Sequence, residues 1–219
     1  MVEIDFIRRH CLTGIFVHCV DMKQITTLAF LLICLSLSAQ DYDVFIDQRD
    51  GTAYQTVRIG KQVWMAENLK YATKSSRAIY PNNSPLVNVF GRLYCWEAAQ
   101  EVCPDGWHLP SLKELEQLAD QLGGARMAGA TMKKNSPYWS TKLDELSNNS
   151  SGFSGIPGGY LEDPGDDTYT FMGDMGFFWS TTEKSRRDAH FKYLNIEGEQ
   201  FKTGSGPKES GMSVRCLKD

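Results

Sequence analysis

Histidine is scarce in this chain, and its scarcity restricts the metal chemistry that the sequence can support. Only four histidines occur in 219 residues, and His10 and His18 both precede the apolar run 27–37. Neither His108 nor His190 has a second histidine or a cysteine at the spacing of a zinc site. The sequence therefore predicts no metal site, and we interpret His108 as a structural imidazole that hydrogen-bonds the backbone in a tight turn.

The sequence also lacks the common motifs of covalent and acid–base catalysis. It has no Gly-x-Ser-x-Gly elbow, and no histidine can be assigned to activate Ser180, Thr181 or Thr182, which we interpret as hydroxyls that satisfy strand ends. Two carboxylates of the acidic segment 162–167 would form a paired-acid site only with a controlled separation and a raised pKa on one member. We therefore expect no catalytic residue, no cofactor and no enzymatic activity.

Excess positive charge and long apolar runs are missing as well. The chain has 23 Lys and Arg against 27 Asp and Glu, a formal net charge of −4, with no basic stripe to neutralise phosphates. Nucleic acid is therefore not an expected partner. The apolar run 27–37 is shorter than the roughly 20 residues of a membrane span, so we expect no membrane span in the mature chain.

Residues 22–40 have the order of a secretory signal peptide. Lys23 supplies the positive start, the apolar run 27–37 follows, and small residues such as Ala39 provide the cleavage site. This pattern predicts a secreted protein, extracellular or at the cell surface, with the periplasm as the alternative destination.

The other N-terminal residues are interpreted from this signal. Residues 1–21 precede it without an evident role, so we interpret them as a spurious extension and Met22 as the true start. Lipoprotein processing at Cys34 is an alternative that Ile33 disfavours, because such signals carry a small residue there. The remaining 41–219 has the length of a single domain.

Two helices joined by a turn form the best-marked part of the chain, 96–122. Leu93, Trp96, Ala99 and Val102 recur at three-residue intervals and are predicted to share the buried face of the first helix. The second helix begins at a capping box, in which Ser111 and Glu114 each accept an amide hydrogen of the first turn. Its apolar stripe comprises Leu112, Leu115, Leu118, Ala119 and Leu122.

Strands and loops account for most of the rest. The alternation around Gly60 predicts a hairpin, and 177–179 has the composition of a buried strand. Residues 212–217 alternate as a final strand with Cys216 inward, whereas the prolines and asparagines of 75–88 predict a surface loop.

Four separated segments, in this order, resemble the Fibrobacter succinogenes major paralogous domain family. They are QVWMAENLKY at 62–71, WEAAQEVCPDGWHLPSLKELEQL at 96–118, FWSTTE at 178–183 and GMSVRCLKD at 211–219. The resemblance runs from about Gly51 to the C-terminus. It implies an α+β, C-type-lectin-like fold, with two helices packed on small twisted antiparallel sheets with long loops.

The same resemblance assigns the cysteines. Outside the first 40 residues the chain has Cys95, Cys103 and Cys216. The family and the C-type-lectin pattern both place Cys103 and Cys216 where the end of a helix meets the final strand, which implies a disulfide between them. Cys95 is then a buried free thiol, rather than a nucleophile, because no neighbour in the sequence would lower its pKa.

The fold that is implied presents a face of loops and strands, on which we place a non-enzymatic binding site for a protein or glycan at the bacterial cell surface. Its expected residues are Asp166, Asp167, Tyr169, Phe171, Glu183, Arg187, His190 and Lys192. Solvated loop charges are preferred to a calcium site for the acidic segment. One alternative is that Tyr160 and Phe171 fill the core beneath the loop. Another is that the protein has a structural or assembly role in the cell envelope without a soluble ligand.

Overall fold

A computed structural model describes residues 40–73, 85–141, 143, 147–162 and 168–219. Short helices accompany several antiparallel sheets, so the α+β class predicted from the sequence is confirmed at that level. The helices are α1 (Pro85–Phe90), α2 (Trp96–Glu101), α3 (Leu112–Gln121) and α4 (Ala128–Met132). The strands are β1 (Tyr42–Ile46), β2 (Ala53–Ile59), β3 (Gln62–Met65), β4 (Leu93–Tyr94), β5 (Trp107–His108), β6 (Tyr160–Leu161), β7 (Tyr169–Thr170), β8 (Met175–Glu183), β9 (Asp188–Asn195), β10 (Phe201–Pro207), β11 (Met212–Ser213) and β12 (Leu217–Lys218).

The strands form two five-stranded sheets and one short hairpin. The first sheet has the order β1-β2-β3-β12-β5, the second has the order β10-β9-β8-β11-β4, and β6 pairs with β7. The hairpin predicted at Gly60 is confirmed: β2 and β3 pair antiparallel, and Gly60 takes a φ of 59° in the turn. Phe178 lies in the centre of β8 and is buried, as the strand prediction for 177–179 requires.

The predicted single final strand is wrong. Residues 212–217 contribute to two strands in different sheets, because β11 pairs with β4 and β8 while β12 pairs with β3 and β5. The apparent alternation does not distinguish two faces, since Ser213 and Arg215 are as buried as their apolar neighbours. The C-terminal segment thus links the two sheets.

A buried cation explains much of that link. Arg215 is 1% exposed, and its guanidinium donates to Asn68 Oδ1 from Nε (3.1 Å) and Nη2 (2.7 Å). Its Nη1 donates to the carbonyls of Met65 (3.1 Å) and Phe153. Burial lowers the pKa of Arg215 to about 9, which leaves the side chain protonated at neutral pH. Arg215 therefore ties together segments that are far apart in the sequence.

The helices confirm part of the sequence prediction. The capping box is present at α3, where Ser111 accepts from the amide of Glu114 and the Glu114 carboxylate accepts from the amide of Ser111. For the first helix, however, Leu93 belongs to β4 and not to α2. The predicted loop 75–88 is wrong at its end, where α1 begins at Pro85, and 75–84 lies outside the described residues. Proline suits a first helical turn, where its missing amide leaves no bond unmade.

The implied disulfide is confirmed. Cys103, after α2, is bonded to Cys216, before β12, with 5.9 Å between their Cα atoms. Cys95 is a free thiol and is half-buried. In the described part of the chain, no helix is long and apolar enough to cross a membrane.

Candidate functional site

Strands β8, β9 and β10 have one face that is only partly covered, which we call the groove face. Directly opposed residues of an antiparallel pair project to the same side of the sheet. The pairs Phe177↔Tyr193 and Trp179↔Phe191 therefore place their four side chains on this face. Trp179 is completely buried, but Tyr193 remains half-buried at the surface.

The opposite face, which we call the covered face, belongs to the main core. Phe178 of β8, Leu194 of β9 and Phe201 of β10 project to this side and pack with Phe153. Helix α3 contributes Leu115 and Leu118 to the same cluster. This face is closed to solvent by the amphipathic helix.

A groove of about 400 Å³ lies on the groove face, with the backbone of β10 as one wall. That volume falls within the range of roughly 300–1,000 Å³ that is usual for ligand sites. Its side chains are mainly apolar, and the aromatic ones are Tyr160, Phe171, Phe177, Phe191 and Tyr193. A groove of this composition suits a ring or a bulky apolar group.

Phe177 is the centre of the aromatic cluster. Its ring centroid lies 5.0 Å from that of Tyr160, 5.6 Å from that of Phe191 and 5.6 Å from that of Tyr193. Phe171 lies 6.3 Å from Phe177, and its ring stacks against Tyr160 at an interplanar angle of 28°. Aromatic pairs at these separations support each other's orientation, so the groove has a preformed wall.

Phe171 is exceptional in both exposure and backbone conformation. It is 48% exposed, so it does not merely fill the core beneath the loop. Its φ is 58°, in the left-handed region that a bulky side chain rarely adopts. Backbone strain of this kind collects at binding and catalytic sites, where the surrounding structure supports it. The turn therefore presents an aromatic ring to solvent at a cost in conformational energy.

Glycines in β10 extend the aromatic surface towards the edge of the sheet. A Cβ on Gly204 would lie 2.4 Å from Cε2 of Phe191, and one on Gly206 would lie 3.4 Å from Cε1 of the same ring. Only a residue without a side chain fits at Gly204, because 2.4 Å is far inside van der Waals contact. The Phe191 ring thus lies directly over the β10 backbone.

Tyr160 supplies a polar group at the rim. Burial, and secondarily the negative charge of Glu162, raises the pKa of the Tyr160 phenol. The hydroxyl is therefore neutral at physiological pH and can donate one hydrogen bond.

The amino-acid sequence also matches a known protein family. The profile of the Fibrobacter succinogenes major domain matches residues 57–218, most of the chain. The chain belongs to this family. The resemblance inferred from the four segments is thereby confirmed. No curated protein and no solved structure matches the chain significantly.

Every side chain of the aromatic groove lies within the matched Fibrobacter succinogenes major domain. Of the residues expected at its ligand site, Phe171 lies in the groove. Tyr169 instead packs against the cluster of Leu161 and Ile156. Asp166 and Asp167 lie outside the described residues.

His190 and Lys192 were expected on the exposed binding face of the family domain, and the structure corrects this prediction. Both project to the covered face, because Lys192 is opposed to Phe178 and His190 is two residues away on the same strand. Lys192 is 2% exposed, with its Nζ 3.5 Å from the carbonyl oxygen of Phe201. Burial lowers the pKa of Lys192, against the raising effect of acidic residues on α3. Neither side chain belongs to the aromatic groove.

Glu183 and Arg187 are exposed, as expected, at the β8–β9 turn of the family domain. Glu183 pairs with Lys208 Nζ, which also lies 4.3 Å from the centroid of the Trp96 ring. Neither Glu183 nor Arg187 lines the groove.

The hydroxyls of Ser180 and Thr182, and the His108 ring, have structural partners in this domain. Ser180 Oγ donates to the carbonyl of His190 at 2.7 Å, and Thr182 Oγ1 accepts from the amide of Leu112 at 2.9 Å, which caps α3. His108 was expected to bond the backbone, but its Nδ1 lies 2.6 Å from Asp219 Oδ1 and its Nε2 lies 3.2 Å from Glu114 Oε1. An imidazole between two carboxylates anchors the start of α3.

A metal-binding set is not found among the described residues of the domain. The acidic segment is described only at Glu162, with 163–167 outside. Asp174, a carboxylate that follows this segment, accepts a hydrogen bond from Ser140 Oγ.

Sequence reasoning missed most of the groove. The composition of 177–179 predicted a buried strand but not the face that Phe177 shares with Phe191 and Tyr193, and no role was predicted for Gly204 and Gly206. A useful signal was present: aromatic residues at alternate positions of two neighbouring strands, followed by a strand with alternate glycines. That pattern indicates an aromatic face of the sheet beside a strand whose glycines leave part of the same face without side chains.

Proposed function

We propose that this Fibrobacter succinogenes major domain is an exported, non-enzymatic binding module whose protein or glycan ligand lies in the aromatic groove. The observation that carries the proposal is Phe171, which is 48% exposed at a φ of 58° beside a groove of about 400 Å³. A ring held in a strained conformation and left accessible is better explained by contact with a ligand than by packing.

A C-type-lectin-like arrangement is part of the proposal. Its support is the pair of helices α2 and α3 beside two small sheets, and the Cys103–Cys216 disulfide that joins the end of α2 to the C-terminal segment. Export to the cell surface, the extracellular space or the periplasm accords with that disulfide, because such bonds persist in oxidising compartments. The proposed signal, 22–40, lies almost entirely outside the described residues.

The absence of enzymatic activity is proposed from the chemistry around the groove. Its one lining group with a shifted pKa among the described residues is Tyr160, whose pKa is raised and whose phenol stays neutral. A structural role in the cell envelope is the competing hypothesis, and it gives no reason for an exposed Phe171 at positive φ.

Two screens of the purified protein test the proposal: a glycan array, run with calcium and again with chelator, and a phage-displayed library of linear peptides. We expect a ligand whose binding is lost in Phe171→Gly and kept in Tyr42→Ala. Tyr42 is the control because it is an aromatic residue of the other sheet with a comparable exposure of 43%. Calcium-dependent binding would instead implicate Asp166 and Asp167. Absence of any ligand in both screens would reject the proposal in favour of a structural role.

A further inference from the structure

Among the described residues, strand β10 is an edge strand whose outer side is open beside the groove. It is the terminal strand of the order β10-β9-β8-β11-β4. The amide of Phe201 points away from β9, since it donates to the carbonyl of Ala125 at 2.8 Å, whereas the amide of Lys208 donates to Arg187 on the β9 side at 2.9 Å. Backbone groups alternate in direction along a strand. The amides and carbonyls of Thr203 and Ser205 therefore point outward, and no described residue bonds to them.

The open edge and the groove share one border. Thr203, Gly204, Ser205 and Gly206 form the groove wall, and the Phe191 ring lies directly over Gly204. A strand added outside β10 would place every second side chain on the groove face, next to these glycines. No β10 side chain at Gly204 or Gly206 would separate it from the aromatic ring.

Positive charge borders this edge in a protein of net charge −4. Lys184 Nζ donates to Ser205 Oγ at 2.8 Å, and Arg186 and Arg187 are exposed in the same turn. Lys202 is opposed to Tyr193 and so projects to the groove face. Pairing of β10 with β10 of a second copy would bring these cations together, which disfavours a homodimer and favours an acidic partner.

We propose that the ligand is an extended acidic peptide that adds to β10 as a sixth strand and places a bulky apolar side chain against Phe191 in the aromatic groove. This inference rests on the proposed function, since it names the ligand class of the same site. Main-chain hydrogen bonds to Thr203 and Ser205 supply pairing, and the groove selects the alternate side chains. The cations favour Asp or Glu in the peptide.

The experiment begins with the peptides that the displayed library returns, synthesised and titrated into the ¹⁵N-labelled protein. Enriched sequences should carry acidic residues and bulky apolar residues at every second position. Amide hydrogen exchange at Thr203 and Ser205 should be fast in the free protein and at least about tenfold slower in the complex. The inward amides of Lys202, Gly204 and Gly206 should be protected in both states.

Matched variants test the edge directly. Ser205→Pro removes an outward amide and should weaken peptide binding about tenfold or more, whereas Ser205→Ala keeps the amide and should weaken it less. Thr203→Pro against Thr203→Ala repeats the comparison if Ser205→Pro does not fold. Lys202→Glu should also weaken binding, and Lys61→Glu, the same change in the β2–β3 turn of the other sheet, should not.

Each contrary result has a distinct meaning. Peptides that bind equally well to both proline variants, or leave the two outward amides unprotected, would overturn strand addition while the groove could still bind them. A glycan that binds through Phe171, with no enriched peptide, would overturn this inference and leave the proposed function intact. Dimers in light scattering that Thr203→Pro dissociates would identify a second copy as the occupant, which also overturns it.

Discussion

The covered face and the groove face belong to the same three strands, yet they meet different surroundings. On the covered face, Phe178 packs against Phe153 at 5.5 Å and lies beneath α3. On the groove face, Ala99 of α2 packs in the same cluster as Trp179, but Phe177 and Tyr193, which stack at 5.6 Å, lead to an exposed Phe171. Aromatic content therefore does not distinguish the core from the proposed binding site, whereas the extent to which other elements cover each face does.

Because of this difference, we expect the two faces to contribute to different properties, namely folding stability and ligand recognition. Side chains of the covered face lose packing and leave a cavity when they are shortened. Phe171 and Tyr193 of the groove face are already partly in contact with water, so shortening them removes less buried area. We expect stability to depend on the first set and ligand binding on the second.

The largest expected effect is on the covered face. Phe178→Ala should lower the free energy of unfolding by about 3–5 kcal/mol, as for other buried Phe→Ala changes. Urea denaturation followed by fluorescence measures it. Tyr193→Ala, the groove-face control, should cost clearly less because Tyr193 is half-buried. Equal costs would mean that the two faces are not distinct in packing.

The Cys103–Cys216 disulfide stabilises the hydrophobic cluster that packs beneath the groove face. Cys103→Ser should lower the free energy of unfolding by about 2–5 kcal/mol, because the bond joins residues 113 apart in the sequence. Cys95→Ser, a change at the half-buried free thiol, should have a much smaller effect in the same thermal and denaturant unfolding experiments. A marked loss from Cys95→Ser and none from Cys103→Ser would contradict the pairing.

Acid should weaken the helix that closes the covered face. Burial would raise the pKa of Glu114, but hydrogen bonds from the amide and hydroxyl of Ser111, and the contact with His108, outweigh it and lower the pKa. The resulting stabilisation is present above the ordinary pKa of a glutamate and is lost as pH falls through the lowered value.

Glu114→Gln should therefore cost about 1 kcal/mol near neutral pH, the usual size of a capping interaction. The difference from the unsubstituted protein should shrink towards pH 3 in denaturant unfolding. A difference that stays constant with pH would show that the carboxylate charge does not contribute.

The last difference in stability is expected between two variants of Phe171. Glycine accepts the φ of 58° without strain, so Phe171→Gly should be more stable than Phe171→Ala by about 1 kcal/mol. Both variants should lose ligand. If Phe171→Gly is the less stable of the two, the strain at this position is absent and the main support for the site is removed.

Local chemistry made part of the structure predictable. The capping box of Ser111 and Glu114 and the hairpin at Gly60 depend on interactions within a few residues, and both are present. The Cys103–Cys216 disulfide came from family resemblance and is also present.

The errors arose where sheet pairing decides the environment. Lys192 looks like an exposed strand residue, but pairing places it beneath α3. Residues 212–217 alternate like one strand, but the buried Arg215 lies between strands of two sheets. The groove itself depends on the register that aligns Phe191 with Gly204, which one strand's sequence does not reveal.

The most direct measurement of the central claim is an NMR titration of the ¹³C-labelled aromatic rings with a glycan or peptide returned by the two screens. Our account predicts that the resonances of Phe171 and Tyr193 shift in a saturable manner, while those of Phe153 and Phe178 on the covered face do not. Saturable shifts at Tyr42 with none at Phe171 and Tyr193 would place the ligand on the other sheet and contradict the account.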